Sequence, residues 1–419
     1  MRPKIAHISP VMPALGGNGL AMRTSMFSQA AEQTGDVLVM AVEIDAGRAG
    51  EDHPFRPDTR VIRVDEGVDT RLLLITRSLP IESRPGLLAA YGKPLTSMAL
   101  SAAAIARISE QLTAFDPDLV ILSRAQMLPL VDALQDKLQH ARLLVDLDDD
   151  DGALCRSRAA YERDAGFTDK AAWLDAQADI YDAVINRHAD AVELFTVASR
   201  DVVRSIEQRL AISKIGLVPN GISSATPEPA AKQREAGTPT SAPVLMFVGN
   251  LSYGPNVDGM CWFLEEVWPI LQNRITGLNL IVAGSNPGEH LTGLCRQDGV
   301  QLIVSPPDLV PLYESADAVI IPLRFGSGSR IKILEAGAHD VPVVSTFAGA
   351  EGLDLRPGTH AILSDETADT FAGACLECLQ NRDAARARSA ALQEFVRQHH
   401  DRQQIVAGLR RTLQTTVAD

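Results

Sequence analysis

Short runs of apolar residues alternate with longer stretches of helical periodicity along the whole chain, and this alternation predicts the architecture. Ile5–Ser9, Val37–Val42, Leu119–Leu122 and Leu143–Leu147 form one series of such runs. A second series comprises Val244–Val248, Leu278–Ala283, Val300–Val304, Ala318–Pro322 and Val341–Ser345. Continuous apolar runs of this length, separated by helices, predict parallel strands covered on both faces, an α/β class. Between the series, Ser223–Pro243 is rich in Pro, Ala, Thr and Ser without apolar period and predicts an exposed linker, with a hinge just before it near Val218-Pro219-Asn220-Gly221. The expected organisation is a first Rossmann-like domain over 1–218, a hinge and linker over 219–243 and a second Rossmann-like domain over 244–399.

The length of 419 residues suits two such cores. With 46% hydrophobic and 22% charged residues the composition is globular. A formal net charge of −14 argues against nucleic acid as a partner, because phosphate neutralisation needs Lys and Arg in excess, so any bound phosphate must be held locally. Met1–Pro10 has a basic start and a short apolar strand but no long apolar region or cleavage site, and the longest helical apolar stretch, Met98–Ile108, is too short to span a bilayer. The expected location is therefore cytoplasmic. Cys375-x-x-Cys378 lies in a helical pattern without a second pair and reads as ordinary helix cysteines rather than a metal site.

Each series opens with a strand, a glycine-containing turn and a helix: Ile5–Ser9 then Pro10–Gly19, and Val244–Val248 then Gly249–Pro255. Such turns collect backbone N–H groups that attract anions and lie where open α/β sheets bind ligands. Gly16-Gly17-x-Gly19 is only part of a dinucleotide fingerprint, so turn glycines without a ligand are an equal reading of it.

The richest stretch runs from Ile320 to Ala336. A buried strand ends at Pro322, the loop Phe325-Gly326-Ser327-Gly328-Ser329 follows, and a helix is expected to begin near Ser327 to Ser329, where serine can cap free N–H groups. At about 100° per residue, Ile331, Leu334 and Ala338 make an apolar stripe, with Ser329, Lys332 and Glu335 toward the other side. Transfer from a nucleotide diphosphate needs such a set. Arg330 and Lys332 would neutralise the leaving diphosphate, loop amides would approach the sugar, and Glu335 would accept from vicinal ribose hydroxyls. A solvated Lys332–Glu335 helix pair is the plain alternative, against which stands the entropic cost of accumulating glycine beside a strand end.

On these residues the chain resembles the family-4-type retaining glycosyltransferases, in particular the bacterial polysaccharide-assembly branch. The resemblance rests on Phe247-Val248-Gly249-Asn250-Leu251-Ser252-Tyr253-x-Pro255-Asn256, Gly328-Ser329-Arg330-x-Lys332-x-x-Glu335-Ala336 and Pro342-Val343-Val344-Ser345-Thr346-x-x-Gly349-Ala350-Glu351-Gly352-Leu353, in that order, with Val218-Pro219-Asn220-Gly221 as the interdomain turn. It implies a GT-B fold with a central cleft between the domains. The implied activity is metal-independent hexose transfer from a UDP- or GDP-type sugar to a glycan or lipid-linked acceptor, without a cofactor. The implied contacts to donor fall on Gly16, Gly17, Gly249, Asn250 and Phe325 to Ser329. A C-terminal helix over about 400–419, patterned at Gln403–Leu413, is expected to pack back on the first domain.

The chain departs from the family in four places. Ser327 replaces the first of two carboxylates spaced as Ser327 and Glu335 are, and Asn250 and Asn256 stand where relatives place Arg and Lys. Arg330 and Lys332 then carry more of the diphosphate charge. Asp340 replaces the glycine that ends the helix before Pro342, and aspartate tolerates left-handed backbone better than most residues. Two rival functions share the scaffold: a nucleotide-sugar epimerase, and a non-catalytic nucleotide-sugar-binding subunit.

Two further segments carry open alternatives. Asp146-Leu147-Asp148-Asp149-Asp150-Asp151 follows a strand and reads as a capping acidic turn, as an Asp148 or Asp149 contact to sugar hydroxyls, or as a metal site. From Arg71 to Glu110 the balance reverses, with Arg71, Arg77, Arg84, Lys93 and Arg107 against Glu82 and Glu110, interleaved with Leu72, Leu73, Leu74, Leu79, Leu87 and Leu88. This segment reads either as helices covering the sheet or as a peripheral contact with anionic lipid at the inner face of the plasma membrane.

Overall fold

The computed structural model describes residues 2–16, 19–42, 55–64, 70–210, 212, 214–223, 242–326 and 330–418. The chain folds into two compact units, Met1–Gly221 with Gln403–Asp419, and Ile222–Arg402.

In the first unit the strands are β1 (Lys4–Ser9), β2 (Asp36–Ala41), β3 (Arg60–Arg63), β4 (Leu119–Ser123), β5 (Arg142–Asp148), β6 (Leu194–Val197) and β7 (Ile215–Leu217). They lie in the order β3-β2-β1-β4-β5-β6-β7, all parallel. Alternate residues of β5 feed opposite faces: Leu143, Val145 and Leu147 join one buried cluster and Leu144 the other. Both faces are thus apolar, which is why β5 appears in the sequence as a continuous apolar run. The helix Arg402–Ala418 places Val406, Leu409 and Leu413 in the second of these clusters, with Ile5, Val39 and Leu144. Each such burial contributes on the order of 1.5–3 kcal/mol.

The second unit repeats the plan with β8 (Val244–Val248), β9 (Asn279–Gly284), β10 (Val300–Val304), β11 (Ala318–Ile321), β12 (Val343–Thr346) and β13 (Ile362–Ser364), ordered β10-β9-β8-β11-β12-β13 and parallel. Its core joins Leu245 and Phe247 of β8 to Trp262, Phe263, Trp268 and Phe371, with Cys375 and Cys378 buried in the helix Ala368–Gln380. In both sheets the winding direction reverses beside the first strand, between β1 and β4 and between β8 and β11, where doubly wound sheets open a crevice at the strands' carboxyl ends.

β3, β6, β7 and β13, three or four residues each, escape the sequence pattern. The apolar face expected for the helix after β11 is also corrected. That helix, Ile331–Ala338, buries Ile333, Leu334, Ala336 and Gly337, while Ile331 and Ala338 are only partly covered. It is clamped by the helix Arg382–His399: a Cβ at Gly337 would lie 2.9 Å from both Leu392 and Val396, so the buried face turns toward Gly337. Asp340 has φ +52, the left-handed backbone expected of it.

Candidate functional site

In the second unit the chemistry collects at the carboxyl ends of β8 and β11. After β8 the chain turns at Gly249, whose N–H donates to the Ala283 carbonyl at 3.0 Å. Asn250 Oδ1 accepts from the Ser252 N–H at 2.9 Å and the Ser252 hydroxyl at 2.8 Å, so the Asn250 side chain shapes the turn. The helix Gly254–Trp262 then starts with Pro255 in its first turn, where a missing N–H costs nothing. Asn256, 5% exposed, donates from Nδ2 to the Asn250 carbonyl at 2.8 Å, which leaves Oδ1 to accept from Lys332 Nζ at 2.7 Å.

Lys332 is therefore drawn inward. Its ammonium stands 4.3 Å from the centroid of the Phe247 ring, and a Cβ on Gly249 would lie 3.1 Å from Nζ. A side chain at position 249 would therefore crowd both Lys332 Nζ and Asn256 Nδ2. Burial, assisted by the nearby Arg330 charge and opposed by Glu335, lowers the Lys332 pKa to about 7.

Arg330 is also buried, 6% exposed, with Nη2 donating to the Ala348 carbonyl at 3.1 Å. Gly326, at φ +131, packs on its guanidinium, where a Cβ would lie 2.8 Å from Nη2, and Phe325 is buried beside it in sequence. Arg330 is non-helical with ψ 86 and precedes the first helical residue, Ile331, so the helix starts later than the serines suggested. Ser327, Gly328 and Ser329, expected as loop contacts and caps, lie outside the described residues, as does Gly17.

One helical turn beyond Lys332, Glu335 Oε2 accepts from the Tyr313 hydroxyl at 2.9 Å. Burial pushes the Glu335 carboxyl above its ordinary range, against the Tyr313 hydrogen bond and the Lys332 charge, which both pull it down. Lys332 and Glu335 are not a solvated helix pair: each has its own buried partner on another element. Among the expected residues, Gly249, Lys332 and, through Asn256, Asn250 are brought together, with Arg330 and Glu335 flanking Lys332 in the same helix start.

Two interactions here had no sequence signal strong enough to find them. Tyr313 sits in the short helix Val310–Ser315, away from any recognisable motif. Arg324 holds Asp258 through two bonds, 2.9 and 2.7 Å, and lies 5.7 Å from the Trp262 ring centroid, pairing the loop after β11 with the helix after β8.

In the first unit the acidic run is largely a set of ion pairs and caps. Asp146, fully buried, takes both Arg23 Nε at 2.8 Å and Nη2 at 2.6 Å, and accepts from the Thr196 hydroxyl at 2.8 Å. Arg23 Nη1 also donates to the Val218 carbonyl at 2.8 Å and to Asn220 Oδ1 at 3.0 Å, which ties the end of the unit to its first helix, Gly19–Thr34. Asp148, at φ +63, is bracketed by Arg23 at 3.3 Å and Arg124 at 3.2 Å. Asp150 caps the helix Asp151–Asp164 and receives Arg209 at 2.6 Å, while Arg124 pairs with Asp151, whose carboxyl burial pushes up to about 6. The capping reading thus describes Asp150. Asp148 sits at the carboxyl end of β5, with its carboxylate held by two guanidinium groups. Gly16 is exposed, and among the described residues nothing lies within 4 Å of a Cβ placed there.

Residues 242–381 match the family model described as glycosyl transferases group 1. These residues, about a third of the chain, lie within the second unit. The first unit lies outside the matched residues. Over the whole chain the structure resembles sucrose-phosphate synthase from Thermosynechococcus elongatus, at TM-score 0.72 and 16% identity with 100% of both chains covered. It also resembles Anabaena Alr3699/HepE in complex with UDP and glucose, at TM-score 0.64 and 15% identity, covering 99% of this chain and 100% of that one. These likenesses establish the GT-B fold. In sequence, 173 residues are 25% identical to an uncharacterized 44.6 kDa protein in the cps region of Klebsiella pneumoniae, covering 39% of this chain and 44% of that protein. The match therefore spans less than half the length of this curated relative.

Proposed function

We propose that the chain is a retaining glycosyltransferase that moves a hexose from a nucleotide-diphosphate sugar to a glycan or lipid-linked acceptor. The observation that carries this reading is Lys332 held by Asn256 beside the bare Gly249 turn, at the reversal point of the β8–β11 sheet, with Glu335 one helical turn on. A diphosphate there would take the place of Asn256 as partner of Nζ, and the Arg330 charge lies close by in the same helix start. Glu335 would accept from vicinal ribose hydroxyls. In the step itself the bond from sugar C1 to phosphate oxygen breaks and the acceptor oxygen bonds to C1 on the same face. The acceptor's proton passes to the leaving phosphate. Lys332 and Arg330 stabilise the charge that develops there, which is where preorganised cations are most effective.

The relatives support the donor class and setting: the HepE structure contains UDP and glucose, and the Klebsiella relative is encoded in a cps region. A uridine or guanosine sugar and a polysaccharide-assembly role follow as the reading for this chain. No metal or cofactor is needed by this scheme.

The test is a transfer assay with UDP-glucose and GDP-mannose across glycan and lipid-linked acceptors. Lys332→Ala and Glu335→Ala are expected to abolish transfer while leaving the folded structure intact. Near-normal turnover in both overturns the site assignment; release of an epimerised donor without acceptor establishes an epimerase instead, and binding without turnover a binding subunit.

The acceptor side of the reading includes a peripheral lipid contact. Among the described residues no helix is long and apolar enough to cross a membrane. The helix Arg71–Ser78 buries only Leu73 and Thr76 and leaves Leu72 43%, Leu74 58% and Ile75 56% exposed between Arg71 and Arg77. Apolar side chains flanked by cations fit an anionic lipid surface. Flotation with phosphatidylglycerol-containing liposomes should be lost in an Arg71/Arg77/Arg84 triple alanine variant; equal flotation removes the lipid contact.

A further inference from the structure

Tyr313 belongs to none of the chain's recognisable motifs, yet its phenol is built into the proposed site. It is 1% exposed, and its ring stacks on His339 with centroids 4.8 Å apart and planes 8° from parallel. His339 follows the last residue of the helix that carries Lys332 and Glu335, and its N–H donates to the Glu335 carbonyl at 3.0 Å. The phenol is thus braced by the far end of the helix whose carboxylate it addresses. On its own side Tyr313 is anchored through the Leu309 carbonyl, which accepts its N–H at 3.0 Å, and Asp317, four residues on, accepts from the Val244 N–H at 2.9 Å and fastens the segment to β8.

We infer that Tyr313 is a positioning residue for donor binding: its hydroxyl holds Oε2 of Glu335, fixing the carboxylate plane so that Oε1 is presented to the vicinal hydroxyls of the nucleotide ribose. This inference rests on the donor-site reading above. A carboxylate on a two-carbon stem rotates freely, and a single strong donor to one oxygen removes that freedom before the ligand arrives. Among the described residues Tyr313 is the hydrogen-bond donor to the Glu335 carboxylate, so no second bond does the same work. The hydroxyl has an electrostatic part as well. Burial raises the carboxyl of Glu335, and the Tyr313 hydrogen bond favours its ionised form. The phenol is itself pushed well above its ordinary value by burial and by the Glu335 charge, so it remains a donor throughout the range in which Glu335 titrates.

Tyr313→Phe removes the hydroxyl while keeping the ring and its stack on His339. In the full-length protein labelled with 13C at the glutamate carboxyl, the Glu335 resonance is identified by its loss in Glu335→Gln and followed against pH. Its midpoint should rise by about one unit in Tyr313→Phe, a tenfold change in proton affinity. It should fall when the tyrosines are replaced by the more acidic 3-fluorotyrosine, a measurement that stands even if the phenylalanine variant folds poorly. Calorimetry with UDP and GDP should show the preferred nucleotide binding about tenfold more weakly to Tyr313→Phe at fixed pH, because the ligand must then order a carboxylate that is no longer held in advance. A purely structural tyrosine would lower the melting temperature and leave the Glu335 midpoint where it was, and that result overturns the inference. The two readings fail separately. If Glu335→Gln weakens nucleotide binding but Tyr313→Phe leaves the midpoint and affinity unchanged, the positioning role falls and the donor site stands; if Glu335→Gln does not alter affinity for UDP or GDP, the donor site falls and the positioning role with it.

Discussion

Lys332→Arg replaces an ammonium that burial has brought to a pKa of about 7 with a guanidinium that stays charged at any accessible pH. The sign follows from linkage. In the free protein Lys332 is protonated below pH 7 and loses its proton as pH rises through that value. A bound diphosphate raises the pKa well above it, so binding above pH 7 takes up a proton and weakens as pH rises. With a free-state value of about 7 and a bound-state value near 10, affinity for a sugar-capped diphosphate should fall about 25-fold between pH 6.5 and 8.5, or about 1.9 kcal/mol. Such a donor has no phosphate group titrating in that window, so the slope belongs to the protein. Isothermal titration with UDP-glucose and GDP-mannose in two buffers of different ionisation enthalpy reads both the slope and the proton uptake, which should approach one at pH 8.5. Lys332→Arg should bind with a nearly flat profile and no uptake from this position. A wild-type affinity independent of pH over this range, with no proton taken up, would refute the placement of Lys332 against the diphosphate.

Two other perturbations test the supports of the sites. Arg23→Met leaves Asp146 as an uncompensated buried charge and deletes the bonds to Val218 and Asn220, so urea unfolding should show a loss of about 3–5 kcal/mol; a loss under about 1 kcal/mol would contradict the pairing. Gly284→Ala would set a Cβ 1.7 Å from the Gly249 carbonyl oxygen, so the β8 turn must move: nucleotide affinity should drop at least tenfold and stability by about 1–3 kcal/mol, and unchanged values in both would show that the turn is not held there.

The two parallel sheets were legible because each central strand is apolar on both faces, as in β5 and β8, and because Gly249, Phe325 and Gly326 mark strand-to-helix turns. The edges were not. β7 is three residues with a central glycine, and β3 has arginine at both ends, so neither carries an apolar run. Lys332 and Glu335 could be named from spacing, but their environment could not. Their partners, Asn256 and Tyr313, lie 76 and 22 residues away, and only the sheet order brings those positions together. The acidic run shows the same limit from the other side. Asp146 to Asp151 reads as a surplus of negative charge until Arg23 and Arg124, 123 and 27 residues from their carboxylate partners, are placed against it. Helix and strand periods register which face is buried; they carry no information on which distant cation meets which carboxylate.

A crystal structure of the protein with UDP-glucose or GDP-mannose puts the donor assignment to its plainest trial. The nucleotide should occupy the β8–β11 crevice, with a phosphate oxygen within hydrogen-bonding distance of Lys332 Nζ in place of Asn256 and the ribose hydroxyls on Glu335. Nucleotide found elsewhere, with Lys332 still on Asn256 and Glu335 contacting only Tyr313, would contradict it.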